Sequence, residues 1–175
     1  VELFGMKKEE LKACADEISQ KTGVSFVLED TQNETVKITA CGAFAHASTP
    51  EMGNNALTAL LQLLASLPME ESELKQDIAF LSRVYPHGDA KGAALGVAMK
   101  DEESGELTLS LDLMNYDGKT LTGSYDCRAP LCATKENLYD TAEQNMKKGG
   151  FSMGSGGANL NYTDDELDSY ETIWD

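Results

Sequence analysis

The chain is sparing with the residues that commit a protein to special chemistry or special surroundings. Its 175 residues include two histidines, four prolines, four cysteines and one tryptophan. Cys14, Cys41, Cys127 and Cys132 form no C-x-x-C pair and follow no regular spacing. They read as partly buried thiols of a reducing cytoplasm, not as a disulfide framework. No apolar run approaches the roughly 18 residues needed to cross a bilayer. Residues 1–6 carry neither the basic start nor the apolar stretch of a signal peptide. The expected location is cytoplasmic.

Basic residues are also scarce. Fourteen Lys and Arg face thirty Asp and Glu, a net charge of −16. So acidic a surface repels phosphate, which argues against nucleic acid and anionic membrane as partners. The excess is uneven: residues 151–175 hold six acids and no base. What the chain does have is a core. Hydrophobic residues make up 41% of it, enough for one folded domain or two small packed halves.

Periodicity predicts the elements. Leu11, Cys14, Ala15 and Ile18 recur at helical spacing over residues 7–22, with Gly23 as a stop. Strands follow over residues 24–28 and 34–41, the second with Val36 and Ile38 on one face. Leu57, Leu60, Leu61 and Leu64 mark a helix over residues 53–67, closed by Pro68. Ser72 caps a third helix carrying Leu74, Ile78 and Leu81. The period then falls to two. Residues 95–99 read as a strand, and Leu107, Leu109, Leu111 and Leu113 alternate with Thr108, Ser110 and Asp112 in a half-buried one. Asp117-Gly118 signals a hairpin, with a return strand over residues 120–128. Thr134 caps a last helix through Lys148. The expectation is an α+β fold: an antiparallel sheet with helices on one face, built from two ferredoxin-like, split βαβ halves. Residues 154–157 read as a linker. Leu167, Tyr170, Ile173 and Trp174 sit at spacing that predicts a short docked helix.

Both histidines lie in loops. His87-Gly-Asp89 has H-x-D spacing but no third ligand at recognisable distance, so a surface loop is the better reading. His46 lies in Gly42-Ala-Phe-Ala-His46-Ala-Ser-Thr-Pro-Glu-Met-Gly53-Asn-Asn55-Ala56. This segment resembles G-x-x-A-H-x-x-x-P-x-x-G-x-N-A, the signature of the lid, or dimerisation, domain of the di-zinc amidohydrolase family, which includes carboxypeptidase G, aminoacylase and PepV-type Xaa-His dipeptidases. The run from His87 to Gly92, Leu95-Gly-Val and Ser104-Gly-Glu-Leu-Thr108 resemble the dipeptidases more narrowly. So does Cys127-Arg128-Ala-Pro130, where Ala129 replaces the family's usual aromatic.

The resemblance covers residues 7–153 and divides the chain into a lid, residues 1–153, and a linker with acidic tail, residues 154–175. It implies no cofactor in this chain. The two zinc ions are expected in a catalytic domain whose ligands are missing here: His87-Gly-Asp89 follows the lid motif instead of preceding it, and no Glu-Glu pair has the expected setting. The implied partners are that catalytic domain and a short peptide substrate. Peptide hydrolysis by a zinc-activated water builds charge on the former carbonyl oxygen. The resemblance makes His46 the donor that stabilises this oxyanion and Arg128 the group that grips the substrate carboxylate. Asn55 is carried over with the motif as a substrate-binding candidate, although general capping preference makes it a helix cap. His46 and Arg128 are both expected to be largely exposed, and the chain alone to be inactive. The rival reading is a stand-alone ferredoxin-like module that binds a small ligand.

Overall fold

The computed structural model describes residues 1–46 and 49–154, and the backbone of residues 172–174. The chain opens with strand β1 (Glu2–Phe4), helix α1 (Lys8–Thr22) and strands β2 (Ser25–Asp30) and β3 (Thr35–Cys41). A 3-10 turn (Pro50–Met52) leads to helices α2 (Ala56–Ser66) and α3 (Glu73–Val84). The second half comprises the short strands β4 (Lys100–Asp101) and β5 (Gly105–Glu106) and the long strands β6 (Thr108–Tyr116) and β7 (Leu121–Arg128). A π turn (Lys135–Asp140) then runs into helix α4 (Thr141–Lys147), and β8 (Thr172–Trp174) comes last. The fold is α+β, and every strand pairing among the described residues is antiparallel.

Among the described residues the strands divide into three sheets, ordered β1-β3-β2, β4-β5 and β6-β7-β8. β1 and β2 both run antiparallel to β3 between them, so they are parallel to each other. With α1 connecting them, they form a split βαβ unit. β1 has only three residues, too few for periodicity to reveal.

Local signals set the helix ends. Gly23 takes a left-handed φ of 73° and donates its N–H to the Ser19 carbonyl at 2.8 Å, as a helix stop requires. Ser72 Oγ accepts the Lys75 N–H at 3.1 Å. Thr134 and Asn137 cap each other reciprocally, at 3.2 and 2.7 Å. Helix α2 contacts α1, α3, β3 and β6, so Leu61, Leu63 and Leu64 on different sides of it are all buried. One core cluster joins Leu11, Ile38 and Leu61 of the first half to Leu95, Leu107 and Met146 of the second.

Three expectations need correction. Residues 95–99 are not a strand. Gly92 and Gly96 adopt φ of 68° and 84°, and Val97 N–H folds back on the Gly92 carbonyl at 3.0 Å. Leu95 and Val97 are buried, so their alternation records burial of a turn. Leu113 leaves the buried face: a bulge shifts the register between Leu111 and Leu113, which turns later side chains over, and Leu113 is 68% exposed. The chain's end is strand β8 on the edge of β7, with Trp174 opposite Tyr125, not a helix. Leu167 and Tyr170, and the linker from residue 155 onward, lie outside the described residues.

The β4–β5 turn is fastened to the chain leaving β7. Asp101 accepts the hydroxyl of Ser104 at 2.6 Å and the N–H groups of Ser104, Glu103 and Cys132 at 2.5, 2.9 and 3.1 Å. Ser104 Oγ accepts the Leu131 N–H at 2.7 Å. The Ser104 hydroxyl first, and then these amides, hold the Asp101 carboxyl well below its usual value of 3.8. The folded protein therefore binds this proton less readily than the unfolded chain. The resulting stability is present above pH 3.8 and is lost as pH falls below it. The gap between the melting temperatures of the wild type and Asp101→Asn should narrow from pH 6 down to pH 3; parallel curves would refute the assignment.

Candidate functional site

The His46 loop is shaped by its stem. Ala43 and Asn54 form an isolated antiparallel bridge, with Ala43 N–H on the Asn54 carbonyl at 3.0 Å and Asn54 N–H on the Ala43 carbonyl at 2.8 Å. His46 O accepts the Thr49 N–H at 2.9 Å, and the Pro50–Met52 turn brings the loop back. His46 is exposed at this loop, as expected, and its neighbour Phe44 is 95% exposed.

Asn55 closes the loop onto the fold. Its Oδ1 accepts the N–H groups of Leu57 and Thr58 at 2.9 and 3.1 Å, capping α2. Its Nδ2 donates to the Leu111 carbonyl of β6 at 2.9 Å. One side chain thus caps a helix and ties the first half to the second. The Asn55→Ala variant should lose about 1–3 kcal/mol of stability, combining a lost cap with a lost hydrogen bond. Asn55→Ser, which keeps a capping oxygen but gives up the donor, should lose less. Urea denaturation of the three proteins checks the order.

An open cleft of about 1440 Å³ runs between the halves, with His46, Asn55, His87, Lys91, Glu106 and Thr108 among its walls. The two loop histidines therefore share one cleft. His87 Nδ1 lies 3.0 Å from Thr58 Oγ1. Asp89 is occupied: its carboxylate accepts the N–H groups of Lys91, Ala93 and Ala94 at 3.2, 3.1 and 2.7 Å. It folds a loop and is not presented as a ligand. Among the described residues no three His, Cys, Asp or Glu side chains gather to hold a metal ion.

Arg128 departs from expectation. Its side chain is only 15% exposed, and its Nε lies 3.2 Å from Asp126 Oδ1. The two residues stand on the same face of β7, where an i, i+2 spacing places them side by side. Arg128 is opposite Thr108 in register, and Thr108 lines the cleft. The guanidinium thus sits one strand away from the cleft, partnered by a carboxylate of its own chain.

Tyr85, which the sequence does not single out, also lines the cleft. It is nearly buried, with its hydroxyl directed at Met146 Sδ, 3.9 Å away. Burial pushes its phenol upward, so it stays neutral and contributes packing. One string, Gly150-Phe-Ser152-Met-Gly154, spells the Gly-x-Ser-x-Gly of a nucleophile elbow. It follows α4 in irregular backbone, not on the strand-to-helix turn an elbow needs, so Ser152 is not placed as a nucleophile.

The pattern of the family described as Peptidase dimerisation domain matches residues 33–161, most of the chain. No curated protein matches it. Among the described residues no helix is long and apolar enough to cross a membrane.

Proposed function

The chain belongs to the peptidase dimerisation domain family, and from that premise we propose that it is the lid of a zinc-dependent dipeptidase. It works with the catalytic domain of its parent polypeptide, in the cytoplasm, where four cysteines joined by no disulfide suit a reducing setting. The observation that carries this reading is the His46 loop: an exposed imidazole on a bridged, capped stem, at the lip of a cleft and inside the family match.

The chemistry follows from that placement. When a peptide bond is attacked, negative charge grows on the carbonyl oxygen, and a fixed N–H donor in a water-poor site stabilises it. His46 supplies the donor as the lid closes over a short peptide. Arg128 takes the substrate carboxylate by exchanging Asp126 for it, a bidentate task that suits guanidinium. Asn55 holds the helix start beneath the loop and so positions His46. The zinc ions the family resemblance implies belong to the catalytic domain.

The decisive experiment compares this chain alone with the polypeptide that joins it to a catalytic domain, on Ala-Ala with zinc supplied. The joined protein should turn over and the chain alone should not. Turnover by the chain alone would overturn the lid reading. A ligand-dependent rise in its melting temperature, with no dependence of hydrolysis on its presence, would favour a stand-alone binding module.

A further inference from the structure

The reading above uses one of the chain's two histidines. The other, His87, is half-buried in the loop after α3, which forms the second wall of the cleft. Its Nδ1 lies 3.0 Å from the hydroxyl oxygen of Thr58, in the first turn of α2. Thr58 is 8% exposed, and its hydroxyl donates to the Asn55 carbonyl at 3.2 Å. A hydroxyl carries one proton, so Oγ1 accepts from His87 Nδ1–H. The bond satisfies a buried polar group and joins the loop to a helix that precedes it by 29 residues.

The loop beyond His87 is held in its turn. Asp89 N–H returns to the Pro86 carbonyl at 3.0 Å, and the Asp89 carboxylate accepts three amides further along. The Ala90 carbonyl then accepts the Leu109 N–H of β6 at 2.9 Å. Two tethers therefore run side by side between α2 and β6. One is direct, from Asn55 Nδ2 to the Leu111 carbonyl at 2.9 Å. The other passes from Thr58 through His87 and its loop to Leu109. They leave α2 within one helical turn of each other and reach β6 at alternate residues. One tether would let the walls pivot; two side by side oppose rotation as well as separation.

Each wall carries one of the groups assigned to the substrate. The His46 loop ends its stem at Asn54, next to Asn55. Arg128, on β7, is opposite Thr108, the residue before Leu109. The distance between His46 and Arg128 is thus set where α2 meets β6. In the lid reading these two take the scissile carbonyl and the terminal carboxylate of one peptide. The separation of those groups grows by roughly 3.3–3.6 Å with each residue added to an extended chain.

We propose that His87 is a positioning residue: its bond to Thr58 fixes the spacing of His46 and Arg128, and so selects dipeptides over longer peptides. The proposal rests on the lid reading for the roles of those two residues. His87 itself touches no substrate.

In the joined enzyme, kcat/KM is compared on Ala-Ala and Ala-Ala-Ala, and the wild type should favour the dipeptide. His87→Phe keeps a ring and drops the bond. It should lose about tenfold on Ala-Ala, the scale of one hydrogen bond, and less than about twofold on Ala-Ala-Ala. His87→Asn, whose amide can reach Thr58 from the position of Nδ1, should keep most of the preference. Thr58→Val removes the same bond from the other side and should reproduce the effect; combining it with His87→Phe should add nothing further. Should His87→Phe fail to fold, Thr58→Val and its rescue by Thr58→Ser carry the same comparison. A role in stability alone would lower both peptides together. A wild type without preference, equal losses on the two peptides, or additive losses in the double variant overturn the proposal.

The chain alone tests the bond without substrate. Thr58→Val should shift the His87 Nδ1 resonance and leave the ring resonances of His46 in place. An unmoved Nδ1 overturns the proposal while the lid reading stands. Failure of the joined wild type to hydrolyse Ala-Ala, or turnover by the chain alone, fells the lid reading and the length assignment with it.

Discussion

Replacing His46 with alanine, in the polypeptide that joins this domain to a catalytic domain, is expected to lower kcat by about two to three orders of magnitude, the measured scale for one oxyanion donor. KM should move little, because the donor matters most when the oxygen carries charge. The variant should still fold, which a cooperative thermal melt checks. His46 is exposed at its loop, and the loop is held by the Ala43–Asn54 bridge and the Asn55 cap, neither of which uses the imidazole. Steady-state kinetics with a dipeptide and a thermal melt of the same preparation are sufficient. A fall in kcat of less than about fivefold, roughly 1 kcal/mol, would remove His46 from the chemistry.

The second large effect is expected at Gly42, where the motif's first glycine has a steric cause. A Cβ on Gly42 would lie 2.0 Å from the Asn54 carbonyl oxygen and 2.9 Å from the Ala56 nitrogen. Both are backbone atoms of the loop stem and the first turn of α2, so neither can turn aside. Gly53 is constrained from the other strand of the stem: its Cβ would meet the Ala45 Cβ at 2.6 Å. Gly42→Ala should therefore open the Ala43–Asn54 bridge and cost about 1–3 kcal/mol, the range for forcing extra volume into packed structure. It should also lower hydrolysis by the joined enzyme, because His46 loses its stem. Urea unfolding measures the first effect and kcat/KM the second. A variant as stable as the wild type and fully active would show that the stem does not set the position of His46.

These two positions also show how far the sequence reaches. G-x-x-A-H-x-x-x-P-x-x-G-x-N-A can be read as a string. The structure supplies reasons for its spacing: Gly42 and Gly53 admit the close approach of the stem, and Asn55 caps the helix that follows. The loop that carries His46 was legible because a motif is local. Arg128 was legible as a residue but not as a partner. Its ion pair with Asp126 requires both side chains on one face of β7, and its distance from the cleft depends on register with Thr108. The His87–Thr58 contact joins residues 29 apart, and no spacing rule links a loop histidine to the first turn of an earlier helix. The Asp101 hub was equally hidden, since Cys132 lies 31 residues downstream.

The sequence by itself determined the α+β class, helices α1 to α3 with their caps, the β2–β3 and β6–β7 pairs, and the histidine loop. Each rests on side-chain period, a turn residue or a cap, interactions that span a few residues and are decided before the chain meets itself. Tertiary structure alone decided which strands share a sheet, that β1 flanks β3, that residues 95–99 turn instead of extending, and that Leu113 faces outward past the bulge. It also decided that Arg128 is paired and that both histidines line one cleft. The physical reason is common to all of these. Pairing register and burial are settled between segments distant along the chain, where a one-residue shift exchanges inside for outside, and local pattern carries no record of that choice.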